Sequence, residues 1–214
     1  IICAQMKKIL FFLVVLSFLL VFPSKVLAQS VSELLPSGQI IESDFIRVGQ
    51  TVQIDGEIKG DAYLAGGIVN VNGKIDGDLF VLGGKVNING PVSGSIRILG
   101  GDVTANSSVD RSALLVCGNC SVTGNVTING SLMVAGANLE QSAGKVGRGF
   151  RFLGNRLFLN SEIANEAYVV ADQEFLLGPH ASISGELKYT GNSEAVLETG
   201  ATVAGRILYQ KTSQ

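Results

Sequence analysis

Residues 73–106 are two consecutive copies of one 17-residue phrase, GKIDGDLFVLGGKVNIN and GPVSGSIRILGGDVTAN, and residues 56–72 (GEIKGDAYLAGGIVNVN) are a third. The shared form is G-x-[IV]-x-G-[DS]-apolar-x-apolar-apolar-G-G-x-V-x-apolar-N. A unit this short cannot bury its own apolar face, so copies at a fixed short period must stack on one another. That requirement excludes most folds at once.

Within a copy the apolar residues alternate: Ile75, then Leu79 and Val81, then Val86 and Ile88. Alternation at period two describes a strand with one buried face. It is interrupted at Gly77-Asp78, Gly83-Gly84 and Asn89-Gly90, residue types that tolerate the positive φ of tight corners. Each copy then reads as three short strands and three corners. Coils about 4.8 Å apart would pair every backbone N–H and C=O with the neighbouring rung. The fold class expected is all-β, a single-stranded β-helix solenoid. An antiparallel meander is the structural competitor, because Asn-Gly and Gly-Gly are also hairpin signals. The Gly77-Asp78 break splits the longest would-be hairpin strand and favours the solenoid.

The repeat domain is expected over residues 46–210, after a lead-in at 29–45 and before a tail at 211–214. In the lead-in, Ser32-Glu33-Leu34-Leu35 stopped by Pro36-Ser37-Gly38 reads as a short helical turn or an unstructured arm. Phe45 opens an irregular first coil that caps the stack. Residues 107–123 keep the apolar phase without the corner glycines, 124–141 return to the pattern with one residue extra, and 144–160 are again a 17-residue copy. Residues 161–177 are a weaker copy, and Gly-x-x-[IV]-x-Gly recurs near Gly178 and Gly200 on either side of an excursion at Asn192 to Leu197. The count is about nine coils, or about 40 Å at the rung spacing.

Glycine, at 27 of 214 residues, is near twice its usual share of about 7 %, as a corner-rich chain requires. Residues 1–28 read as five upstream residues followed, from Met6, by a secretory signal. It has Lys7 and Lys8, an apolar run over 9–22 and Val26-Leu27-Ala28 at the cleavage site. The run is short for a span of about 20 residues. Export to the periplasm, the exterior or the cell envelope is therefore expected, with a retained membrane anchor or further C-terminal helices as alternatives. Without those 28 residues the charge is 13 − 18 = −5, Lys7, Lys8 and Lys25 being subtracted from 16 cations. Nothing in that balance attracts a phosphate backbone, so no nucleic-acid partner is expected.

The phrases VQIDGEIKGD (52–61) and VNVNGKIDGD (69–78), echoed near Gly178 and Gly200, resemble the bactofilins, the polymer-forming cytoskeletal proteins. The likeness covers about residues 48–209. It implies a right-handed β-helix that polymerises end to end, without nucleotide, often at a membrane. The signal sequence departs from the usual cytoplasmic members and points to an exported or membrane-associated variant.

Several residues invite chemistry. Cys117 and Cys120 form C-G-N-C, with Cys117 at a corner-glycine position and Cys120 at the inward position of Val86 and Val103. Two cysteines across a tight turn in an exported chain point to a local disulfide or to buried thiols. A metal site would need more ligands. Asp61 and Asp78 share a corner in adjacent coils. Stacked carboxylates there would suit acid–base work or calcium, whereas satisfying turn amides is the plainer role; Ser95 and Ser112 take the place in the next two coils. His180, the sole histidine, reads as a surface turn residue, and Phe150, Phe152 and Phe158 as packing. No nucleophile–base pair or phosphate loop is present in the sequence.

The expectation is a non-enzymatic scaffold with no cofactor, assembling with copies of itself, with membrane or cell-wall components as further partners. Unpaired terminal rungs are the expected assembly surfaces: Phe45, Val48 and Val52 at one end, Val203 and Ile207 at the other. The alternative is a secreted binding module that presents a lateral face to polysaccharide or protein.

Overall fold

A computed structural model describes residues 32–212, and the signal-sequence reading of residues 1–28 lies outside them. The described residues contain strands, bridges and turns and no helix. Strand Leu79–Ile88 pairs in parallel with Ala62–Val71 on one side and Ile96–Ala105 on the other, and Ile96–Ala105 pairs in turn with Ala113–Val122. The series continues through Leu132–Gln141, Phe150–Leu159, Ala167–Leu177, Leu187–Gly191 and Ile207–Lys211. A second parallel sheet, from Thr127–Ile128 to Thr202–Val203, closes another side, and isolated bridges Ile58↔Ile75↔Val92↔Val109↔Ile128 carry that side through the regular coils. The chain is a β-solenoid. No antiparallel pair occurs among the described residues, which disposes of the meander.

Each coil has three sides, though not as three separate strands. Leu79–Ile88 runs unbroken through Gly83-Gly84, and its inward residues are Leu79 and Val81, then Val86 and Ile88. The odd step from Val81 to Val86 shows that the strand turns a corner while keeping its ladder. The third side shrinks to a bridge at Ile75 or Val92.

The corners also differ from the expectation of positive φ. Among the described residues only Gly38, Gly124, Gly144 and Gly200 have it. The last three lie in coils lengthened to offsets such as 19, 18 and 20 residues, where an insertion must be folded away. In the regular coils glycine is needed for room. A Cβ on Gly90 would run into the carbonyl oxygen of Gly73, and one on Gly73 into that of Gly56.

Eleven rungs stack, two more than the sequence count. Ser32–Leu35, read above as a helical turn or loose arm, is a strand in register with Thr51–Ile54, and Ile40–Ile41 pairs with Glu57–Ile58. Leu35 is buried, and a turn in which the Gln39 amide donates to Pro36 O carries the chain round. At the other end Val196–Leu197, read as an excursion, pairs with Leu176–Leu177, so the last stretch forms two rungs. The core is one continuous column of inward side chains from Leu35 to Tyr189. Phe150, Phe152 and Phe175 are among its largest side chains, while Ala113 and Ala167 occupy the positions in line with Phe150.

Candidate functional site

The corner carboxylates do not face one another. Asp44 Oδ1 accepts the Asp61 amide at 2.9 Å, Asp61 Oδ1 that of Asp78 at 2.7 Å, and Asp78 Oδ1 that of Ser95 at 2.8 Å. Ser112 Oγ takes the Ser131 amide in the same way. Each short polar side chain thus satisfies a corner N–H of the next rung. The other Asp78 oxygen accepts from Arg97 Nη1 at 2.8 Å, and that bond, ahead of the Ser95 amide, holds the Asp78 carboxyl below its ordinary pKa. Amide ladders line two further corners. Asn89 donates to Asn72 and Asn72 to Asp55; Arg156 donates to Asn138, Asn138 to Asn119 and Asn119 to Asp102. No group of three or more His, Cys, Asp or Glu with the makings of a metal site occurs among the described residues.

Cys117 and Cys120 are joined as a disulfide with Cα atoms 5.8 Å apart, both buried. They register with Gly100 and Val103. The bridge spans the corner where the preceding coil has Gly100-Gly101 and the following coil Gly136-Ala137, and it fills the interior there, so no thiol is presented to solvent. His180 is exposed in a turn after Pro179, its amide donating to Asn160 Oδ1. Phe150 and Phe152 are wholly buried, and Phe158 is half-buried beside Leu176 in an open groove.

The two ends are unlike. At the N-terminal end Phe45 and Val52 are buried, contrary to their expected role as an open rung. Glu33 registers against Val52, and the Arg47 guanidinium lies 4.2 Å above the Phe45 ring and 3.6 Å from Glu33. Arg47 stands in the column of Leu64 and Val81, so a charged residue closes the apolar interior. At the C-terminal end no charged side chain among the described residues closes the interior, and only the Tyr209 ring stacks over Tyr189. Ile207 is in register with buried Leu187, yet is 47 % exposed; Leu197 is exposed and Val203 and Tyr209 half-exposed. No described strand pairs with the outer edge of Ile207–Lys211.

Val48 belongs to a different surface. On the side formed by the first halves of the long strands, one outward column runs Val48, Ala65, Leu82, Leu99, Val116, Ala135, Leu153, Val170 in register. Beside it run Ile46, Tyr63, Phe80, Arg97, Leu114, Met133, Arg151 and Tyr168. These sixteen positions hold no acid and only two cations. Val48 is 71 % exposed, Leu82 56 % and Leu153 59 %. The Tyr63 and Phe80 rings stack at 4.9 Å, and Arg97 lies over Phe80, drawn toward Asp78 at the border. A groove of about 480 Å³ runs over the first five of these rungs. The sequence reading passed over this face, although its own formula carried the signal. In apolar-x-apolar-apolar, the last residue must point outward. Neither protein-family models, curated proteins nor solved structures match this chain.

Proposed function

We propose that the protein is a non-enzymatic structural element, exported to the cell envelope, that associates end to end through its C-terminal rung. The observation that carries this reading is the exposure of inward-facing Ile207, with Tyr209 on the same strand and Leu197 exposed in the coil before, on a rung whose outer edge has no described partner. Apolar side chains in core register and an open strand edge together form a template for another chain. The Arg47 closure of the opposite end favours joints between like C-terminal ends over an unlimited head-to-tail stack. The likeness of residues 48–209 to the polymer-forming family agrees with this role.

The test is negative-stain microscopy and sedimentation of the purified protein and of Ile207→Lys. The wild type should form end-joined pairs whose share rises with concentration, and the variant should lose the joint while its far-UV circular dichroism stays that of a β-protein. Identical behaviour of the two, or single solenoids at every concentration, overturns the proposal. A lateral binding role is the second reading, favoured by the apolar face, and Ile207→Lys would leave it intact.

A further inference from the structure

We infer that the lateral apolar face pairs with the same face of a second copy, the two solenoids antiparallel. The two-fold axis lies along the strands, midway between the rungs of Leu99 and Val116. This goes beyond end association and uses none of its residues.

A flat apolar strip of this length needs a cover. Eight rungs at about 4.8 Å, two outward side chains wide, present on the order of 500 Å² of flat face, at the upper limit of the apolar patch a soluble monomer leaves bare. Two copies would bury twice that, about 1,000 Å² in total, the size of a weak specific interface.

The order of residues in the strip identifies the cover. Reversed on itself, the Val48-to-Val170 column sets Ala65 against Leu153, Leu82 against Ala135, Leu99 against Val116 and Val48 against Val170. Each alanine meets a leucine, the alternation of small and large that lets facing layers interdigitate. A two-fold interface must be self-complementary in this sense.

The neighbouring column agrees. The same reversal sets Arg151 against Tyr63, Phe80 against Met133 and Arg97 against Leu114, so no cation opposes a cation. Arg151 has no ion pair among the described residues. In the pair it reaches the Tyr63 ring and the adjacent Asp61 carboxylate, whose Oδ2 is 3.4 Å from the Tyr63 hydroxyl. Parallel pairing about the solenoid axis would set Arg151 against Leu153, away from Tyr63 and Asp61, while Arg97 meets a leucine in either arrangement.

The test is disulfide trapping in the full chain carrying Cys3→Ser. Chains with Ala65→Cys and chains with Leu153→Cys, mixed and mildly oxidised, should give covalent dimer at least tenfold faster than either variant alone. Equal trapping of Ala65→Cys with itself overturns the antiparallel pair. Sedimentation of the Ile207→Lys variant, in which the end joint is removed, should show a dimer that adding Leu99→Glu abolishes with unchanged circular dichroism, since Leu99 is already half-exposed. A single-copy mass up to about 100 μM, above the micromolar range of a small interface, overturns the inference. So does a dimer that survives Leu99→Glu and is lost with Ile207→Lys, which would leave end association alone standing.

Discussion

At the scale of single residues, glycine is used here for two different reasons, and substitution separates them. At Gly90 a side chain meets the Gly73 carbonyl of the rung beneath, and neither backbone can yield because both are held in the parallel ladder. Gly90→Ala should therefore destabilise by about 2–3 kcal/mol, the upper part of the overpacking range. At Gly38, with φ of 83° and nothing within 4 Å of a Cβ, alanine costs only left-handed strain, about 1 kcal/mol. Urea denaturation of the two variants should rank them in that order. Asp78 makes a second residue-scale case. Its folded pKa is depressed by Arg97 and then by the Ser95 amide, so the stability it contributes is present above the unfolded carboxyl value of about 3.9. That stability is lost as pH falls through the lower folded value. Asp78→Asn should flatten the acid limb of the stability profile below about pH 4, while costing under about 1 kcal/mol at pH 7, since the pair is partly exposed and screened. Denaturation from pH 3 to 7 measures both.

At the scale of one element, strand Ala113–Val122 turns its corner without the Gly-Gly of the strand before it, and the Cys117–Cys120 bridge stands there instead. The bridge closes a loop of four residues, for which the chain-entropy model gives about 2 kcal/mol. Replacing both cysteines by serine should lower the midpoint of thermal unfolding by that order and leave the β-signature in place. The bridge is one rung among eleven, and its neighbours on both sides retain their ladders. Complete loss of structure in the double variant would show that this corner governs the whole stack.

At the scale of the molecule, a solenoid is a sum of rungs and of the interfaces between them, so its surfaces follow from what each rung leaves uncovered. At the N-terminal end strand Ser32–Leu35 covers Thr51–Ile54, and Arg47 and Glu33 stand at the inward positions. The C-terminal end leaves Ile207 and Leu197 in solvent, and one lateral face is apolar over eight rungs. Two kinds of contact, axial and lateral, are therefore open to one chain, and Ile207→Lys and Leu99→Glu address them separately.

Much of this architecture was legible in the residues. The 17-residue period, the alternation around Leu79–Val81 and Val86–Ile88, and the doubled glycines were enough to specify parallel coils and the inward column, because side-chain direction along a strand is fixed by geometry. The short polar corner residues, Asp61 and Asp78, read correctly as partners for turn amides for the same local reason. What the sequence could not supply is any relation between coils beyond the period. Ser32–Leu35 has no glycine signature and becomes a strand only because the Thr51–Ile54 edge offers it a ladder. Gly90 needs its glycine because Gly73 lies directly beneath, a fact of stacking and not of local φ. Phe45 and Val52 looked like an open end and are covered, while Val48, three residues away, faces outward into an apolar column assembled from eight separate repeats. Period and alternation are local and survive in one dimension; burial depends on which rung lies next to which, and only the tertiary structure decides that.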